Sequence, residues 1–225
     1  MTVQGLFATE ASNLGKSART RARLMDAAVQ LFARDGFEAT SVNEIARQAG
    51  VVNGTFYVHF RDRDEIAAAV ALAIGQNVVR QLDEAMVGIE DAVERSSLAT
   101  RRFIDLAASQ PDWGAALVRA VLTFRDLRDS MIAYLRADLQ RGVDQGLFTV
   151  AIDDLLIDTF ASMTLGALAG RLRGDFGPEA GARVSELQLR MLGVPADRAR
   201  EVCGRDVPAL TLELAPLPKG LAKAG

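Results

Sequence analysis

The chain has 225 residues, of which 49% are hydrophobic and 24% charged, with a formal net charge of −3. This excludes a largely disordered chain and leaves room for one or two domains with a real core. One cysteine, Cys203, excludes an intrachain disulfide framework, and one histidine, His59, argues against a His/Cys zinc site, so no metal and no cofactor are expected.

In chain order, residues 1–17 lack a sustained period and are expected to form a flexible arm. Helical periodicity starts near Ala18, with Leu24, Ala28, Leu31 and Phe32 on one face and Gly36 as the stop. Ser41-Val42-Asn43-Glu44 has the spacing of a capping box, which opens a short helix over 42–49. After the Gly50-Val51 turn comes another short helix, 53–59, and then a long alanine-rich one over 62–87 with an expected hinge near Gly75. Further helices are expected at 97–109, stopped by Pro111, and at 112–123, 127–145, 152–171, 179–192 and 196–203. Residues 207–225 hold three prolines and are expected to be an extended tail. No alternating strand pattern, internal repeat or run of ~18 apolar residues occurs, and no secretory leader is evident. The expected fold is all-α, and the expected location is the cytoplasm.

The informative stretch is 39–66, ATSVNEIARQAGVVNGTFYVHFRDRDEI. It alternates helix, glycine-containing turn and short helix, an arrangement whose second helix can project into a DNA major groove. Ile45, Ala46 and Ala49 let the pair pack closely, and Val51 and Phe56 bury the second helix. Asn43, Val52, Asn53, Thr55, Tyr57 and His59 are left on outward or edge positions. Small polar groups, a phenol and an imidazole suit base edges and phosphate oxygens. Charge agrees, because residues 14–63 carry +3 while the remainder carries −6.

The same residues resemble a known family. The LF…DGF end of the first helix, T-S-V-x-x-I-A opening the second, A-G-V at the turn and G-T-x-Y-x-H-F in the third are similar to the DNA-binding domain of the tetracycline-repressor (TetR) family of transcriptional regulators, over about 18–66. The resemblance implies an N-terminal helix-turn-helix domain (18–66) and a C-terminal helical effector-binding and dimerisation domain (67–206). It further implies that Thr40 and Ser41 bond a phosphate and that Asn43 lies near base edges. Asn53, Gly54 and Thr55 would read the groove, Tyr57 and His59 would hold phosphates, and Arg63 would clamp the backbone where the family usually has lysine. Arg19 and Arg21 would add contacts from the arm. Val52 departs from the family, which often has a capping serine there. Either Asn53 takes over the cap and the helix starts one residue later, or the cap is missing at ~1 kcal/mol.

In the body, helix 152–171 is apolar on two sides, with Leu155, Thr159, Ser162 and Gly166 on the second stripe. Val184, Leu187 and Met191 repeat on the next helix. With the resemblance, these seven are the expected interface of a homodimer that places one recognition helix in each half-site of a palindromic double-stranded DNA operator. Phe103, Trp113, Leu117, Phe124, Met131, Phe160 and Met163 are candidate walls of an apolar effector cavity, with Arg119, Thr123 and Tyr134 as polar anchors. Such residues also serve as ordinary core. The resemblance implies a repressor released by a small, largely apolar effector. Two alternatives remain open: a helical adaptor with a degenerate DNA-binding unit, and an enzyme with a carboxylate and hydroxyl site. Nucleophile-elbow, P-loop and dinucleotide motifs are absent.

Overall fold

We describe residues 7, 15–36, 39–109 and 111–207 of a computed structural model of the chain. Among these residues there are ten helices and no strand. The helix-turn-helix unit is α1 (Lys16–Asp35), α2 (Val42–Gln48) and α3 (Asn53–His59), and the long α4 (Arg63–Glu84) leads out of it. The body is α5 (Ala92–Ser109), α6 (Pro111–Thr123), α7 (Arg125–Asp144), α8 (Asp154–Arg173), α9 (Ala180–Met191) and α10 (Ala196–Cys203). Most of the expected arm and residues 208–225 of the expected tail lie outside the described residues. Where the arm is described it is not free: α1 already begins at Lys16, and the Phe7 amide donates to Asp26 Oδ1 at 2.9 Å.

Local chemistry explains most helix starts. Ser41 and Glu44 form the expected capping box: the Ser41 hydroxyl accepts from the Glu44 amide, and the Glu44 carboxylate accepts from the Ser41 amide at 2.9 Å. Asp62 caps α4 through the Glu65 amide, and Asp153 caps α8 through the Leu156 amide, both at 2.8 Å. Helix α5 begins five residues before the sequence-based position, because the Asp91 carboxylate takes up the amides of Val93 and Glu94 at 2.8 and 3.0 Å. Pro111 does not merely stop one helix; it opens α6, where its missing N–H costs nothing.

One buried apolar cluster runs through both units, from Leu24, Phe32, Ile45 and Phe56 along Ile66, Val70, Ile74 and Val78 of α4 to Phe103, Leu117, Leu127 and Leu168. A second cluster joins Val93, Leu139, Phe148, Phe160, Leu189 and Val202 at the far end. Within the body, Gln188 of α9 donates to Phe160 O and Thr164 Oγ1 at 3.0 and 2.8 Å and accepts from Thr100 Oγ1 at 3.0 Å, so one amide ties α5, α8 and α9 together. Among the described helices only α8 is long and apolar enough by composition to cross a bilayer. Here its inner side packs on α5, α6, α7 and α9.

The C-terminal end of α4 is held by two arginines of α5. Arg102 donates to the carbonyl of the C-cap residue Ala85 at 3.0 Å, and Arg95 to Met86 O, just past the helix, at 3.1 Å, beside the Ile89 amide. Burial pulls the Arg102 guanidinium below its ordinary range. The expected hinge has another explanation. Helix α4 runs unbroken through Gly75, and a Cβ there would stand 2.2 Å from Leu127 Cδ1, so glycine permits close contact between α4 and α7.

Two outcomes follow from these contacts. Gly75→Val should destabilise the chain by about 1–3 kcal/mol in chemical denaturation, because the fully buried Leu127 has little room to yield. The two bonds from Ser41 hold the Glu44 carboxyl below its ordinary range. The box therefore stabilises the chain above the pKa of unfolded glutamate, and that contribution fades as pH falls through the lowered folded value. Ser41→Ala should raise the Glu44 titration midpoint, followed by NMR. An unchanged midpoint would show that the serine is not its cause.

Candidate nucleic-acid interface and ligand cavity

Helix α3 is seven residues long and is anchored from one side. Phe56 is fully buried and meets Phe60 at 5.8 Å between ring centroids and Tyr57 edge-on at 5.5 Å. Its other flanks are open. Val52 and Val58 are 73% and 78% exposed, Asn53, Gly54 and Tyr57 are exposed, and Thr55 and His59 are half-buried. Nothing lies within 4 Å of where a Gly54 Cβ would be, so the outer crest presents bare backbone.

The angle of this helix is set by its neighbours. Gly50 turns the chain with φ +67°, and Arg23 of α1 donates to Ala49 O at 2.5 Å and Gly50 O at 3.5 Å, where α2 ends. Arg21 lies 4.7 Å over the Phe60 ring. Both expected arm residues, Arg19 and Arg21, therefore stand on α1.

The open question at Val52 is decided here. Val52 is the N-cap, it makes no side-chain cap bond, and α3 begins at Asn53, so the cap is missing. The Asn53 side chain instead donates through Nδ2 to Asn43 Oδ1 across the two helices. Ser41 sits exposed in the capping box. Thr40 is placed differently from expectation. It is buried, and its hydroxyl donates to Gly36 O at 2.8 Å. Only its carbonyl faces Arg63, whose Nη1 approaches it at 3.4 Å from the first turn of α4. Sequence reading overlooked Val58. Its signal was simple: it lies two residues after Phe56 and so points away from the buried face.

Several acidic residues of this unit are taken up locally. The bond to Arg34 holds the Asp35 carboxyl below its ordinary range, and the Arg61 amide at 2.7 Å, with the Arg61 guanidinium at 3.0 Å, does the same for Glu65. Glu44 and Asp62 serve as caps. Exposed Arg47 and half-buried Arg63 flank α3.

In the body, a cavity of about 310 Å³ opens between α4, α5, α6, α7 and α8. Four of the expected residues line it: Phe103, Met131, Tyr134 and Phe160. Six do not. Leu117 is core, Phe124 caps α7 in position and packs on the core, and Thr123 is exposed. Arg119 and Met163 are not in the lining, and the side chain of Trp113 lies outside the described residues. Overlooked lining groups are Asp83, Thr100, Arg128, Asp138, Arg141 and Thr164. Arg128, Met131, Leu135 and Asp138 recur at helical spacing on one side of α7, which was a legible hint.

The outer side of α8 is uncovered. Leu155 is 76% exposed, and Thr159, Ser162 and Gly166 are exposed with it. Leu187 of α9 is 51% exposed, whereas Val184 and Met191 are partly buried against the two cores.

Comparison with known proteins agrees with this architecture. Residues 24–70 match the family of bacterial regulatory proteins, tetR family, and residues 91–205 match the tetracyclin repressor-like C-terminal domain. The HTH-type transcriptional regulator SrpR of Pseudomonas putida is 27% identical over 170 residues, covering 70% of this chain and 78% of that protein. The fatty acid metabolism regulator protein of Bacillus subtilis is 27% identical over 108 residues, which is 48% of this chain and 53% of its own length. The crystal structure of RolR in complex with resorcinol superposes with a TM-score of 0.67 at 27% identity, covering 87% of this chain and 98% of that one. With both of its units matched and its helices arranged in the same fold, the chain belongs to the TetR family of transcriptional regulators and is not an enzyme.

Proposed function

We propose that the chain is a repressor that binds a palindromic operator as a homodimer and leaves it when a small, largely apolar effector fills the body cavity. The observation that carries this reading is the presentation of α3: it is held by one buried phenylalanine, and its remaining side chains are exposed or half-buried. Seated in a major groove, Val52, Asn53, Gly54 and Thr55 would meet base edges. Ser41, Tyr57, His59 and Arg63 would meet phosphates, with Asn43 steadying Asn53. Thr40 would act through its backbone position.

The uncovered stripe of α8 with Leu187 supports pairing of two copies. An isologous interface would set two recognition helices about one helical turn, ~34–36 Å, apart. An effector can shift the dimer only if it binds the non-operator geometry better, since equal affinity for both changes nothing. RolR is seen with resorcinol, which supports a small effector here as well.

Gel-shift titration with a sequence selected from random duplexes tests the reading. Affinity should fall steeply with salt, and Tyr57→Ala should weaken all duplexes, whereas Thr55→Ala should relax the choice of sequence. Gly54→Ala should cost at least about ten-fold in operator affinity while thermal stability holds or rises, because alanine favours the helix. Failure of every duplex to bind would favour a helical adaptor instead. For the dimer, Leu155→Glu with Leu187→Glu should give a monomer in sedimentation velocity and lose operator binding, because two charges would be desolvated in the interface.

A further inference from the structure

We propose that the cavity takes an uncharged, compact, hydroxyl-bearing molecule of one or two rings, and not a carboxylate, an acyl chain or an amine. This rests on the reading that the cavity is the effector site. Three observations lead to it: the size of the cavity, its charge balance and the direction of its hydroxyl groups.

At about 310 Å³ it lies at the small end of ligand pockets, which run from ~300 to ~1,000 Å³. The apolar part of the wall, including Phe103, Met131, Leu135 and Phe160, suits a ring and would cover most of it.

Four charged side chains line the wall, Asp83 and Asp138 against Arg128 and Arg141, so their formal sum is zero. They are also engaged with partners. Buried Arg95, behind the wall, donates to Asp83 and, at 3.0 Å, to Asp138 Oδ1. Arg141 stands 3.6 Å from the same Asp138 oxygen. Arg128 is bonded to Asp158. An anionic ligand would have to displace Asp158 from Arg128 or draw Arg141 from Asp138 while lying beside two carboxylates. A cationic one would have to compete with Arg95. Either would be desolvated without a waiting counter-charge, whereas a neutral molecule avoids that cost.

The uncharged polar groups then select among neutral molecules. Thr100 sends its hydroxyl proton to Gln188 Oε1 at 3.0 Å, and Thr164 sends its own to Phe160 O at 3.2 Å. Thr164 also accepts from Gln188 at 2.8 Å. Neither hydroxyl therefore has a proton left for a ligand, and each can only accept through a remaining lone pair, as can Asp83 and Asp138. Donors come from Tyr134 and the two lining arginines. A ligand hydroxyl can donate to the first set and accept from the second, which an ether or a plain hydrocarbon cannot do.

Calorimetric titration of the full chain decides the matter, with resorcinol and 4-propylphenol as neutral probes and benzoate, octanoate and benzylammonium as charged ones. At least one phenol should bind saturably, and each charged probe should bind at least about ten-fold more weakly or not at all. Binding of any charged probe as tight as the phenols, or no binding by either phenol, overturns the proposal. Ala137→Phe, at an exposed lining position that tolerates bulk, separates this from the effector-site reading. If Ala137→Phe weakens the phenol, the molecule sits in this cavity as proposed. If a phenol binds and Ala137→Phe leaves it unchanged, the site lies elsewhere, and both the cavity reading and the proposal fall. If a charged probe binds best and Ala137→Phe abolishes it, the cavity stands and only the ligand class is wrong.

Discussion

The grip of α5 on the end of α4 is the constraint from which the rest of the architecture follows. Helix α4 belongs to two packing units at once, so its position must be defined at both ends. At its start, Asp62 caps the first turn, and Arg63 reaches back to the carbonyl of Thr40. At its finish, Arg102 donates to the C-cap carbonyl of Ala85 and Arg95 to the next carbonyl, Met86 O. Arg95 does more, because its remaining nitrogens hold Asp83 of α4 and Asp138 of α7 beside the cavity. Buried charge of this kind is costly when a partner is lost. Asp83 and Asp138 thus share one arginine with the C-terminal end of the helix whose other end leads out of the helix-turn-helix unit.

The helix-turn-helix unit is held together by local contacts. A capping box starts α2, an arginine of α1 bonds the carbonyls where α2 ends, and Phe56 with Phe60 seats α3. The one local omission is the cap of α3, absent because Val52 has no acceptor. The Thr55 amide is met instead by the Val52 carbonyl at 2.9 Å. The loss of ~1 kcal/mol is tolerable because Phe56 contributes more than that by burial.

The outline of the fold was legible in the residues. Helical periodicity, cap residues and glycine stops placed ten helices within a few residues, because each of these signals is local. The early start of α5 was missed at Asp91, which reads as one more surface charge until its carboxylate is seen taking two amides. The outward face of α3 was legible because Phe56 fixes its phase, and even Val58 could have been read the same way. Thr40 misled, since nothing in the sequence shows that Gly36 O lies within reach of its hydroxyl. The cavity was half-legible. Its walls come from five helices far apart in the chain, and which side of each helix faces inward depends on crossing angles that no short pattern encodes. Aromatic residues were therefore found where they happened to point inward, as with Phe103 and Phe160, and misassigned where they did not, as with Phe124. The charged lining was overlooked because arginine and aspartate on α7 read as solvent-facing.

The unbroken apolar seam along α4 has a consequence for how the molecule can come apart. Ile66, Val70, Ile74 and Val78 all belong to the one cluster that also holds Phe32 and Phe56 of the helix-turn-helix unit and Phe103 and Leu117 of the body. Cutting the chain at either end of α4 would divide that cluster and bare apolar side chains on both pieces.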